Sequence, residues 1–153
     1  MPTDTITLRE LTIRYVVKAD AAGQPILIGR TLHTPHAVAA ALTALLHDES
    51  TEVFAILCLS TTHHVLGYHE VSRGTLDSTL VHPREVFKAA LLANAAAIIL
   101  AHNHPSGDPT PSPDDAALTT RLRAAGTLLG VEVLDHVVIG DGRYVSFRET
   151  GRW

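Results

Sequence analysis

Two short apolar runs constrain this chain more than anything else in it. EVFAILCLS (residues 52–60) and AAIILAH (residues 96–102) are too short for helices and show no polar alternation. A strand that is apolar on both faces must be covered on both, so a sheet sandwiched between helices is required. The rest of the chain supplies those helices. Thr34-Pro35 opens one that ends near His47, with Val38, Leu42, Leu45 and Leu46 on one face. His82-Pro83 opens a second, whose Val86, Ala89, Ala90 and Ala93 make a flat packing surface. Ser112-Pro113 opens a third, stopped near Gly126 or Gly130.

Further strands complete the sheet. VLGYHEVSRG returns from EVFAILCLS through TTHH as a hairpin, and VEVLDHVVIG with RYVSFRE forms another around Asp141-Gly142. The opening ITLRELTIRYVV is rich in branched residues but slips phase between Leu8 and Leu11, which predicts a strand with a bulge, followed by a turn at AAGQP. The expected fold is a single domain, α/β or α+β, with a mixed sheet and three helices. Residues 1–33 are expected as an N-terminal strand region packed as one globular unit with residues 34–153.

Composition narrows the partners. At 153 residues roughly two thirds of the extended chain's surface can be buried. AALLANAAAIILA, the richest apolar stretch, is interrupted by Asn94 and stops at His102, so no membrane span is expected. The N-terminus carries acid early and lacks a signal layout, and Cys58 is the only cysteine, which together predict a cytoplasmic protein without internal disulfides. Net charge is −4, residues 31–72 hold no Lys or Arg, and eight basic residues face nine acidic ones from Arg73 onward. Charge therefore does not support nucleic acid as a partner, though it leaves that reading open. Oligomeric state is not set by any of these features.

Ten histidines are the compositional oddity, and two of them sit in AHNHPSGDPTPSPDD (residues 101–115). Residues i and i+2 of a strand point to one side, so His102 and His104 aim together while Asn103 faces away. A stiff Pro/Gly turn follows, and then a helix whose first turn carries Asp114 and Asp115. Two imidazoles and a carboxylate make three ligands, leaving a fourth tetrahedral position open, as in catalytic zinc sites. Zinc in such a place lowers the pKa of a water to about 7 and polarises carbonyls. Ser112 would lie beside it, able to stabilise an oxyanion. The same Ser-Pro-Asp-Asp is equally a helix cap, and the two roles are compatible. The contiguous letters HNH do not point to the nuclease motif of that name, whose residues are dispersed over a ββα unit.

HNHPSGDPTPSPDD resembles the metal motif of the JAB/MPN (JAMM) metallohydrolase domain: His-x-His-Pro, six residues, then Ser-x-x-Asp. Its wording is that of the RadC branch, as are GTLDSTLVHPREVFKAALLANAAAIILA and LDHVVIG, so the resemblance spans roughly residues 50 to 150. It implies a JAB/MPN-like (cytidine-deaminase-like) mixed sheet over residues 34–153, and one zinc per chain on His102, His104 and Asp115, with Ser112 beside it. It also implies a glutamate base at the start of the strand after the first helix. Glu52 occupies that place, and Glu70 in YHEVSRG is the competitor.

The activity implied is that of a zinc metallopeptidase acting on peptide or isopeptide bonds. A metal-dependent nuclease or DNA-repair factor is the alternative, because the same metal chemistry can serve attack at phosphorus. About 50 residues before the similar region are too few for a helix-hairpin-helix DNA-binding domain. A silent scaffold is the third reading, disfavoured by the intact ligand set. Asp135-His136, placed at the start of the fifth strand, can orient a ligand or form a buried hydrogen-bonded pair.

Overall fold

The structure, a computed structural model, describes residues 4–74 and 81–153. In chain order its elements are α1 (Pro35–Leu46), β1 (Val53–Leu59), β2 (Val65–Arg73), α2 (Pro83–Leu92), β3 (Ala97–Asn103), α3 (Pro113–Leu129), β4 (Glu132–Gly140) and β5 (Arg143–Ser146). The strands form one mixed sheet in the order β2-β1-β3-β4-β5. β1 runs antiparallel to β2 and β3, whereas β3 and β4 are parallel and joined through α3. That crossover carries the chain back over one face of the sheet.

Every residue of β1 and β3 is buried, as unbroken apolar runs require. Alternation then sorts their side chains into two cores. Val53, Ala55, Leu57 and Leu59 join Ile99, Ala101 and the buried face of α1. Phe54, Ile56 and Cys58 join Ile98, Leu100 and residues of α2 and α3. His102 continues the even-numbered series of β3, and therefore emerges on the α2/α3 side.

Each helix begins with proline at its first turn, after a residue whose side chain accepts a backbone N–H: Thr34, His82 and Ser112. α3 stops at Gly130, whose φ of 74° is the left-handed cap that glycine adopts without strain. Gly126 lies within the helix for another reason: a Cβ there would come 2.5 Å from the Val131 carbonyl oxygen. The β4–β5 turn sets Asp141 and Gly142 at φ 48° and 70°, both positive, as a two-residue hairpin of this twist demands.

The expected N-terminal strand is corrected. Residues 5–18 form no strand and are exposed throughout: residues 6–17 make no backbone ladder with the edge strand β2 or any other described segment. The first regular contact of the N-terminal region with the sheet is an isolated bridge from Thr31 to His64. RYVSFRE is extended only to Ser146, and Asp135-His136 falls in the middle of the fourth strand. Residues 75–80, within the GTLDSTL string, lie outside the described residues. Among the described residues no helix is long and apolar enough to cross a membrane.

Candidate metal centre

At the carboxyl end of β3, His102 and His104 present their Nε2 atoms 2.9 Å apart. Asp115, in the first turn of α3, places Oδ2 3.4 Å from each of them. Two ligands of a tetrahedral zinc, each about 2.0–2.1 Å from the ion, lie about 3.3 Å from one another. The three atoms thus already stand at ligand spacing.

Asp115 is held there by the helix cap. Its backbone N–H donates to Ser112 Oγ at 3.1 Å, and Ser112 N–H donates back to Asp115 Oδ2 at 2.8 Å. Capping and convergence on the imidazoles use the same oxygen. Ser112 Oγ accepts in that bond and keeps its own proton to donate.

The hydrogen bonds behind the histidines decide which nitrogens carry protons. Thr119 Oγ1 donates to the Asp115 carbonyl at 2.7 Å, which commits its only proton. The 2.6 Å contact between Thr119 Oγ1 and His136 Nδ1 must therefore be donated by the imidazole. His136 is wholly buried, and that burial, aided by the neighbouring His102, pushes its pKa well below the usual histidine value, so it is neutral. Its Nε2 then accepts, and His102 Nδ1 donates to it at 2.8 Å. This leaves His102 Nε2 a bare lone pair. His104 reaches the same state more directly, because its Nδ1 donates to the Asp108 carbonyl at 2.7 Å. With both rings in this neutral tautomer, two imidazole lone pairs and a carboxylate oxygen converge on one point, a group that could hold a metal ion.

Titration reflects that convergence. The hydrogen bond to Asp115 raises the pKa of His104 against the opposing effect of burial, with the Glu52 charge adding to the rise. Burial works to raise Asp115, but hydrogen bonds from His102 and His104, formed where an Nε2 carries a proton in place of a metal, outweigh it and hold the carboxyl well below the usual carboxylate range. A proton at His104 is thus the natural competitor of a metal ion. Packing fixes the rings: Phe54 stacks on His102 and Phe147 on His136.

The two glutamates part company across the sheet. β1 and β3 pair Phe54 with His102, and continuing that register two residues sets half-buried Glu52 across from His104, on the same face. Asn103 pins the intervening chain, accepting from Val53 N–H at 2.7 Å and donating to the Thr51 carbonyl at 3.0 Å. Glu52 is therefore clamped on both sides. Glu70 pairs with Ala55, on the α1 side, and is tied to Arg73, which also grips Glu49. A cleft of about 450 Å³ opens from His104 and Asn103 past Gly107 and Gly140, with His47 and Glu49 also lining it.

Thr119, Asn103 and the Asp108 carbonyl are the members that sequence reasoning missed. Thr119 had a readable signal, lying one helical turn after Asp115. Asp135 does not bond the His136 ring; its carboxylate accepts from the His136 and Arg148 backbone and from Ser146.

The sequence model of the RadC-like JAB domain matches residues 32–152. A UPF0758 protein of Desulfitobacterium hafniense is 50% identical over 125 residues, covering 82% of this chain and 55% of the relative. UPF0758 proteins of Symbiobacterium thermophilum and Methanosarcina acetivorans are 52% and 46% identical, covering 78% and 80% of this chain and 51% and 53% of theirs. The chain spans about half the length of the curated relatives it matches.

Proposed function

Given that the chain belongs to the RadC-like JAB domain family, we propose that it is a zinc-dependent hydrolase of peptide or isopeptide bonds. The observation that carries this reading is the convergence of His102 Nε2, His104 Nε2 and Asp115 Oδ2 at ligand spacing, with His102 held from behind by His136 and Thr119 and His104 by the Asp108 carbonyl. His102, His104 and Asp115 would hold one zinc ion, which when bound supplies Lewis acidity toward a carbonyl and acidifies water. Glu52 takes a proton from the attacking water as its oxygen bonds to the carbonyl carbon, and returns that proton to the amine as the C–N bond breaks. Ser112 donates its hydroxyl proton toward the carbonyl oxygen as charge gathers there. His136 and Thr119 keep His102 in the tautomer that binds. The cleft beside His104 is where an extended substrate chain would lie.

Metal analysis of the purified chain should return close to one zinc, and His104→Ala or Asp115→Ala should lose it. Peptide and isopeptide libraries are then compared with single- and double-stranded DNA, with Glu52→Ala as control. Cleavage of DNA alone, lost in that variant, overturns the peptidase reading in favour of a nuclease.

A further inference from the structure

The N-terminal arm is the largest feature that the metal centre does not use. Its apolar residues are left out of both cores: Ile6 and Leu8 are 89% and 90% exposed, Leu11 80%, Val16 and Val17 77% and 76%. Among the described residues no backbone–backbone hydrogen bond involves residues 6–17. An extended, branched and apolar segment with its ladder unmade is a template for another strand. Ile13 and Tyr15, its least exposed apolar members, line a groove against β2 and α2 with Gly67, His69 and Lys88. Gly67 makes room for this, since a Cβ there would come 2.9 Å from the Tyr15 ring. One side of the arm is thus laid toward the body at the edge strand β2.

The sequence of the arm selects its partner. In an antiparallel pair about a two-fold axis through Thr12, each residue faces the one whose number sums with its own to 24. Leu11 then meets Ile13, Leu8 meets Val16, Glu10 meets Arg14 and Arg9 meets the Tyr15 ring. Leu11–Ile13 and Leu8–Val16 set apolar against apolar and Glu10–Arg14 sets opposite charges together, the pairings that stabilise cross-strand neighbours, while Thr7 faces Val17. Neighbouring registers lose this. An axis at Leu11 sets Arg9 against Ile13 and Leu8 against Arg14, whereas an axis at Ile13 sets Glu10 against Val16 and Arg9 against Val17.

We infer that the arm is a self-association strand: two copies of this chain pair their residues 7–17 antiparallel about Thr12, joined by reciprocal Glu10–Arg14 ion pairs. The interface is isologous, as two-fold symmetry requires, so each dimer contains the Glu10–Arg14 pair twice.

Light scattering after size exclusion of the 153-residue chain at about 100 μM should give twice the 16.4 kDa chain mass. Glu10→Arg and Arg14→Glu should each weaken association about tenfold or more, because two attractive pairs become two repulsive ones. Combining both changes in one chain should restore the dimer. Mixing the two single variants should yield a heterodimer, an outcome that aggregation or misfolding cannot mimic. As a second measurement, Thr12→Cys chains should cross-link on oxidation, since opposed Cα atoms lie about 4.5–5.5 Å apart, within disulfide range. Leu8→Cys chains, whose thiols face Val16, should not. A monomeric wild type, single reversals that leave the dimer unchanged, or failure of the double variant to recover would each overturn the assignment.

Discussion

The two faces of β3 carry opposite kinds of chemistry on one strand. On the α1 side, Ala97, Ile99 and Ala101 lie in an ordinary apolar core, and the polar Asn103 is spent on a backbone clamp. On the α2/α3 side, Ile98 and Leu100 begin the same way, but His102 turns the series into a buried relay through His136 and Thr119. Burying three polar groups would be costly if any were unsatisfied. Each is bonded, and the chain of bonds has a direction, from the Asp115 carbonyl outward to a lone pair. The first face stabilises; the second spends its hydrogen bonds on placing one nitrogen.

That contrast can be broken most sharply at the ligands themselves. Asp115→Ala should abolish metal retention and hydrolysis together, measured as zinc per chain and turnover, while the folded chain survives. Retention of a full equivalent of zinc would remove the reason for treating this face as special. Glu52→Gln should follow in size, lowering kcat by about 10²–10⁴-fold with zinc content unchanged. An equal effect from Glu70→Gln would contradict the separation of the two glutamates across the sheet.

A pair of variants at matched depth compares the faces directly. Leu57→Ala, on the α1 side, should lower unfolding free energy by about 2–5 kcal/mol and leave the zinc affinity of the folded protein alone. Thr119→Val, on the other side, should weaken zinc binding about 10–100-fold by releasing the His136 tautomer, seen in competition with a chelator. If both variants changed only stability, the relay would be mere packing.

Acid and alkali probe the same face at its two ends. Because the pKa of His104 is raised, protons displace metal as pH falls through the upper histidine range, so zinc affinity should drop there. Cys58, on the same face but deep among apolar residues, has its thiol pushed up to about 11 by burial. The unfolded chain loses that proton near its ordinary value of about 8.5–9, whereas the folded chain keeps it. Stability should therefore fall between those values, by about 1.4 kcal/mol per pH unit at most, and Cys58→Ala should flatten the slope in denaturant titrations.

Much of this was legible beforehand for local reasons. Unbroken apolar runs announced β1 and β3, proline after a capping residue announced all three helices, and strand alternation put His102 and His104 on one side. These depend on neighbours within a few residues. The arm shows the limit: ITLRELTIRYVV has strand propensity, but propensity names no partner, and a strand exists only where an edge accepts it. The same limit hid Thr119 and the clamp by Asn103, whose partners lie 17 and about 50 residues away.

What the chain's letters determined alone was the supply: two imidazoles in phase, a carboxylate in a capped first turn, and apolar strands needing cover on both faces. Periodicity and capping are short-range, so order along the chain suffices for them. Only the folded sheet decided which glutamate shares a face with His104, and which way protons point from Asp115 to His102. Those follow from register and from the direction of donation between distant segments, which come into being when β1, β3, β4 and α3 pack together.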